Sequence, residues 1–322
     1  MNTEPEKFNR LGVLDTVLDG LMRRYRDRVP DVAAVINVML AEGLIGKVEE
    51  IENDHIAFRT MGVPHLGLAS LERLFLHYGY LPKDWYDFPE KKVIARWYQP
   101  PLPRYPRIFI SELQVGQLSE EAQRVIRTYT DTVHNDPVNH LDLDDGNAVD
   151  AFLHQSLWRT PTYADYHRLS EESEFAAWVI YNRYYLNHFT VTIHNLPPDY
   201  HTIPAFNTFL ESHGFRLNDA GGKIKVSSDG MLVQSSTVAE IVEALFDDGK
   251  GGFESHLISG SYVEFAERRP LKEHHSSEQR DLPREHRRDG FDAGNANKIF
   301  ESTYRHQTSK RSIGGGQKKL GK

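Results

Sequence analysis

Residues 54–60 read DHIAFRT and residues 187–193 read NHFTVTI. Each opens with Asp or Asn followed by His, and each continues with apolar side chains at every second position, the period of a half-buried strand. Working outward, DHIAFRT is followed by GLASLERLFLHYGYL (67–81), where Leu68, Leu71, Phe75 and Leu76 form a helical stripe. NHFTVTI is followed by a comparable helix, IPAFNTFLESHGFRL (203–217). Strand patterns then close each unit: KKVIARWYQPP (91–101) and RIFISELQV (107–115) in the first, KIKVSSDG (223–230), MLVQSST (231–237) and YVEFAERR (262–269) in the second. Between the last two, VAEIVEALF (238–246) has helical spacing. The letters repeat along with the order, LHYGYL matching ESHGFRL and FISELQV matching YVEFAER. The chain is therefore read as a divergent internal repeat, an α+β fold in which two βαβββ modules curl into an open β-barrel.

Helices flank the repeat. Residues 1–50 form an N-terminal helical cap, with Leu11, Leu14, Val17, Leu18 and Leu21 on one stripe and Pro30 opening a second helix. The first module spans 51–116, and a helical insertion spans 117–185, from SEEAQRVIRTYTDTV through AVDAFLHQSLW to EFAAWVIYNRYY. The second module spans 186–278 and a C-terminal segment 279–322, in which Asn295 or Asn297 caps a short helix. The last roughly fifteen residues, basic and glycine-rich, are expected to be disordered.

Composition narrows the chemistry. The 322 residues include no cysteine, which excludes disulfides, thiolate catalysis and thiolate metal sites and leaves His, Asp and Glu as the strong metal ligands. A net charge of -8 argues against nucleic acid or an anionic membrane as main partner. No apolar run approaches the roughly 20 residues of a membrane helix, and the N-terminal residues lack a signal-peptide pattern, so cytoplasmic residence is the expectation.

Strand parity selects the candidate ligands. His55, Ala57 and Arg59 share one face of their strand, and His188, Thr190, Thr192 and His194 share one face of theirs. In YVEFAERR, Val263 and Phe265 take the apolar face and Glu264 the other. A lone histidine opening a strand is ordinarily a core or rim residue. Two in equivalent strands, with a carboxylate inside a third apolar strand, are hard to explain by packing, because burying an unpaired carboxylate is costly. His55, His188 and Glu264 thus form a two-histidine, one-carboxylate set, an arrangement that leaves open positions on iron(II). His194, six residues along from His188 and about 20 Å away, is too far to join them and is read as structural.

In DHIAFRT, NHFT, QSST and GSYVEFAER the chain resembles the vicinal-oxygen-chelate proteins, and within them the iron(II)-dependent 2-oxoadipate dioxygenase/decarboxylase family. The resemblance runs from about Leu18 to Thr303. It implies a vicinal-oxygen-chelate-like open barrel, Fe(2+) on His55, His188 and Glu264, Arg59 as a substrate-binding residue, and small-molecule partners, a 2-oxo dicarboxylic acid and O2. It further implies conversion of 2-oxoadipate to 2-hydroxyglutarate and CO2, in lysine breakdown. The Glu264-x-x-x-Arg268 pattern is also similar to that of 4-hydroxyphenylpyruvate dioxygenase. Because the chain looks shorter than the longer bacterial members, substrate contacts made by their additional sequence do not carry over.

Arg59 suits a dicarboxylate, since it lies about 13 Å of strand from His55 on the same face and its planar fork matches a carboxylate. It could instead cap the barrel mouth. Gln234 and Ser236 share a parity and could reach substrate or a metal ligand, or simply end a strand. Glu112 is a candidate fourth ligand, because FISELQV takes the place of YVEFAER in the first module. Four protein ligands would resemble a glyoxalase-I-like metal-dependent lyase or isomerase. A non-catalytic metal- or ligand-binding protein of the same fold is the third reading.

Overall fold

The computed structural model describes residues 4–274 and 282–312. Two helices lead, α1 (Glu4–Arg28) and α2 (Pro30–Ala41), the latter started by Pro30 at its first position, where proline lacks no needed donor. The first module follows as β1 (Asn53–Met61), α3 (Leu68–His77), β2 (Leu81–Phe88), β3 (Val93–Gln99) and β4 (Arg107–Leu113). Four helices are then inserted, α4 (Glu120–Thr130), α5 (Gly146–His154), α6 (Tyr163–Glu172) and α7 (Glu174–Asn182). The second module comprises β5 (His188–Thr192), α8 (Ile203–Ser212), β6 (Lys225–Val226), β7 (Leu232–Ser236), a hairpin of β8 (Ile241–Asp247) and β9 (Phe253–Ser259), and β10 (Tyr262–Arg268). The chain continues as α9 (Ala293–Ile299), a 3-10 turn Phe300–Thr303 and α10 (Arg305–Ser312).

Eight strands form one curled mixed sheet in the order β2-β3-β4-β1-β5-β10-β7-β6, the open barrel expected from the repeat. The two halves meet at β1 and β5, which run antiparallel with His55 opposite Thr190 and Ala57 opposite His188. This exchange of partners relates the halves by a local two-fold axis, and His55 and His188 lie on either side of it. Within each half the first strand pairs in parallel with the last, β1 with β4 and β5 with β10.

Alternation along the strands divides the core. Ile56, Phe58, Ile108, Ile110, Phe189, Val191 and Phe265 pack under α1, α2, α3 and α8 on the convex face. On the concave face of the first module, Ala57, Ala95, Trp97 and Phe109 meet α4, α7, Phe291 and Phe300. At about 25 cal/mol per Å2 of apolar area, each such fully buried side chain contributes roughly 1.5–3 kcal/mol before entropy is counted. The inserted helices therefore fill one end of the barrel and leave the concave space beside β1, β5 and β10 as its polar centre.

Several local expectations change. VAEIVEALF is not a helix: β8 pairs antiparallel with β9 from Ile241 opposite Ser259 to Asp247 opposite Phe253. Its apolar spacing suits either state, and the glycine-rich turn decides, with Gly249 and Gly251 at φ of 69° and 91°. The inner face of the hairpin, Ala244, Phe246 and Ile258, packs on Tyr163, Tyr166 and Tyr181. β2 escaped the sequence reading because its residues are exposed on an edge and carry little apolar alternation. The cap of α9 is Asp292, not Asn295 or Asn297. Thr308 to Ser312 are helical rather than disordered, with Arg311 paired to Asp31 and Glu240, while residues 313–322 lie outside the described part of the chain.

Candidate metal centre

His55, His188 and Glu264 converge on the concave face, each nearly inaccessible at 2%, 4% and 1%. His55 Nε2 lies 3.3 Å from His188 Nε2 and 3.4 Å from Glu264 Oε1, and His188 Nε2 lies 3.1 Å from Glu264 Oε2. Ligands about 2.1 Å from one small cation stand roughly 3.0–3.4 Å apart, so the three atoms are spaced for a shared ion. Two imidazole nitrogens facing each other at 3.3 Å repel when both are unprotonated, and a cation between them removes the repulsion.

The residue before each histidine sets its ring. Asp54 Oδ1 accepts a hydrogen bond from His55 Nδ1 at 2.7 Å, and Asn187 Oδ1 lies 3.2 Å from His188 Nδ1. With Nδ1 so engaged, each Nε2 presents its lone pair inward, the usual outer-shell arrangement of metal-binding histidines. Asp54 is itself clamped by Arg268, whose Nε and Nη2 donate to its two oxygens at 2.6 and 2.9 Å, and by Arg107 at 3.2 Å. Burial opposes ionisation of Asp54, but the two arginines and the His55 bond outweigh it and hold the carboxyl well below its usual range. Burial lowers the His55 imidazole, yet Glu264 and Asp54 together raise it. His188, buried and facing His55 and Arg59, is held well below the ordinary histidine value. The repeated Asp/Asn-His dipeptide carried this outer shell in the sequence; Asp54 and Asn187 themselves were not singled out.

Gln234 lies beside the site: its Nε2 donates to Glu264 Oε1 at 2.5 Å, and its Oε1 accepts from Asn295 Nδ2 at 2.9 Å. Ser236 stands opposite Glu264 in the sheet but bonds the Ser302 hydroxyl at 2.9 Å instead of a site residue. Thr190 Oγ1 is 3.0 Å from His55 Nε2. The small cavity on the open side of the three candidate ligands is walled by Phe109, Phe291, Ala296, Ile299 and Phe300.

Glu112 is not a fourth ligand. The register shows why: Ala57 pairs with Phe109 in the first half and its equivalent Thr190 pairs with Glu264 in the second, so Phe109 is the counterpart of Glu264. Glu112 lies three residues on, an odd step that turns it to the convex face, and its counterpart is Glu267. Both cap the helix of their module, Glu112 accepting from Leu68 N at 2.7 Å and Glu267 from Ile203 N at 2.9 Å.

Arg59 shares the face of His55 but does not line the cavity. Its guanidinium is buried over Phe175, Trp178 and Phe300, with Nη1 donating to Thr303 Oγ1 at 3.0 Å and Nη2 to the Phe300 carbonyl at 3.1 Å. Among the described residues no carboxylate pairs with it. His194 accepts from the Arg268 amide at 3.2 Å, a structural role, and is not among the side chains that converge with His55, His188 and Glu264.

A family model described as 2-oxoadipate dioxygenase/decarboxylase matches residues 17–281 of this sequence. The chain belongs to the 2-oxoadipate dioxygenase/decarboxylase family. It is 39% identical over 322 residues to the chloroplastic 2-oxoadipate dioxygenase/decarboxylase of Arabidopsis thaliana, an alignment covering 95% of this chain and 80% of that protein. It is similar to the crystal structure of hydroxyglutarate synthase from Oryza sativa in complex with 2-oxoadipate, with a TM-score of 0.80 and 40% identity over 91% of this chain and 93% of that one. A glyoxalase superfamily structure from Ralstonia eutropha shares the fold at a TM-score of 0.67 and 23% identity, covering 85% and 84% of the two chains. The family is thus one of oxidoreductases, on a fold shared with a glyoxalase superfamily protein, and the donor set here suits a metal. Among the described residues no helix is long and apolar enough to cross a membrane.

Proposed function

We propose that the protein is an iron(II)-dependent dioxygenase that converts 2-oxoadipate and O2 to 2-hydroxyglutarate and CO2, with His55, His188 and Glu264 as its metal ligands. The observation that carries the reading is the buried triad of two Nε2 atoms and one carboxylate, 3.1 to 3.4 Å apart, with an aromatic wall where a fourth protein ligand would stand. Such a facial set leaves room for a chelating 2-oxo acid and for dioxygen. Bound iron(II) would supply the electrons that activate dioxygen for oxidative decarboxylation.

The chain's own residues hold and screen this chemistry. Asp54 and Asn187 fix the two imidazoles in the ligating tautomer, and Gln234 steadies Glu264. Phe109, Phe291 and Phe300 keep water from the open side. Arg59 is the substrate arginine in this reading: its buried guanidinium feels the more distant charge of Glu174 but touches no carboxylate among the described residues, and a substrate carboxylate would relieve the cost of its burial. A glyoxalase-like lyase with four protein ligands is disfavoured by Phe109.

Oxygen uptake by protein purified without oxygen, loaded with iron(II) and given 2-oxoadipate tests the reading, with CO2 and 2-hydroxyglutarate followed together. Coupled formation lost in His55→Ala, His188→Ala and Glu264→Ala is the expected result. Metal-loaded protein that consumes no oxygen with 2-oxoadipate or other 2-oxo acids would overturn it.

A further inference from the structure

Two polar groups, Arg59 Nε and the Tyr262 hydroxyl, are sealed from solvent without a well-formed hydrogen bond. Leaving such groups poorly satisfied is costly, more so when one is charged, so native proteins rarely retain them without a use. They are neighbours. The Tyr262 phenol lies against the Arg59 guanidinium, close enough for a weak, poorly aligned interaction but not for a well-formed hydrogen bond, and its ring packs on His188 with centroids 4.8 Å apart.

The sheet register explains the juxtaposition. Ala57, His188 and Tyr262 form one cross-strand row, next to the row that carries His55, Thr190 and Glu264. Arg59 follows Ala57 on the same face, so only a methyl group stands between the triad and the guanidinium along β1. A short chain anchored at the triad would run over Ala57 toward Arg59, with Tyr262 at its flank. Phe300 belongs to both spaces, its ring lining the cavity and its carbonyl accepting from Arg59 Nη2.

We propose that the Tyr262 hydroxyl, with Arg59, binds the distal carboxylate of the substrate, making Tyr262 a residue that selects dicarboxylic over monocarboxylic 2-oxo acids. The proposal rests on the 2-oxo acid reading above. A carboxylate has lone pairs enough for both donors, and it replaces the two neutral oxygens of Phe300 and Thr303 with a charge that matches the guanidinium. A site built around such donors rejects an analogue without the acceptor, because the donors then stay unpaired.

Anaerobic calorimetry on iron(II)-loaded protein tests this with 2-oxoadipate and 2-oxohexanoate, which carries a methyl group in place of the distal carboxylate. Tyr262→Phe keeps the ring against His188 and removes only the hydroxyl. It is expected to weaken 2-oxoadipate about 10- to 100-fold while shifting 2-oxohexanoate less than about twofold, at unchanged iron content. Equal weakening of both ligands would mean that Tyr262 acts through His188 and would overturn the proposal, as would no change in either. Wild-type protein that does not discriminate between the two ligands overturns it without any variant. Wild-type protein that binds neither would instead remove the 2-oxo acid reading on which it rests.

Discussion

Phe109 stands in the first half of the barrel where Glu264 stands in the second, each on the last strand of its module and each facing the concave centre. The repeat thus places an aromatic ring at the position from which a symmetric fourth ligand would reach a metal held by His55, His188 and Glu264. Phe109→Glu is expected to tighten divalent-metal binding by about tenfold and to lower turnover by at least about a hundredfold, since the added carboxylate takes an open coordination position. Chelator competition and oxygen uptake on the same preparation check this; unchanged turnover with a tighter metal would argue against an open-site mechanism.

Glu112 gives the converse case. Because it caps α3 through Leu68 N on the convex side, Glu112→Ala should cost about 1–2 kcal/mol of stability, with metal affinity and turnover left near wild type. Urea denaturation and metal titration measure the two effects. A large drop in metal affinity at full folding would return Glu112 to the ligand set.

Asp54 links His55 to Arg107 and Arg268, all at 1–2% exposure. Asp54→Asn leaves two buried guanidiniums without their shared charge and loosens the His55 ring. Removing one partner of such a buried pair costs about 3–5 kcal/mol, and losing an outer-shell carboxylate weakens metal binding about 10- to 100-fold. Thermal unfolding of the metal-free protein reports the first effect and metal titration the second. A metal defect without lower stability would show that Asp289, which already pairs with Arg107 Nε, suffices to hold the arginines.

His194 predicts a pH dependence. Burial, reinforced by the charge of Arg287, pushes its imidazole down to about 3, against about 6.5 in an unfolded chain. Between these values the unfolded state binds the proton and the folded state does not, so stability is full above about 6.5 and is lost as pH falls toward 3. His194→Asn offers an acceptor oxygen near the place of Nδ1 without a group that protonates. The variant should unfold at lower pH than wild type, by about half a unit, in an acid titration followed by circular dichroism. An unchanged midpoint would mean that other groups dominate acid unfolding.

Much of this molecule is local information. Alternation within DHIAFRT and NHFTVTI assigns each side chain to a face whatever the strand pairs with, and the repeated Asp/Asn-His marks the two halves as copies. From that parity alone His55, His188 and Glu264 fall on faces able to meet, and the fold class follows from the order of the elements. The helical spacing in VAEIVEALF shows the limit: its apolar positions fit a helix or a hairpin strand, and its pairing with β9 and packing on the tyrosines of α6 and α7 chose the strand.

What the tertiary structure decided is register and partnership across long separations. Letters alone set Glu112 beside Glu264, whereas hydrogen-bond register set Phe109 there, and an offset of three residues reverses the face. Asp54 meets Arg268 across 214 residues, and Gln234 meets Asn295 across 61. Arg59, on the expected face, turned out to lie behind Phe300 with Tyr262 beside it. Strand parity is a property of neighbouring residues and so can be read along the chain; which strand lies alongside, in what register, depends on packing that only the folded chain contains.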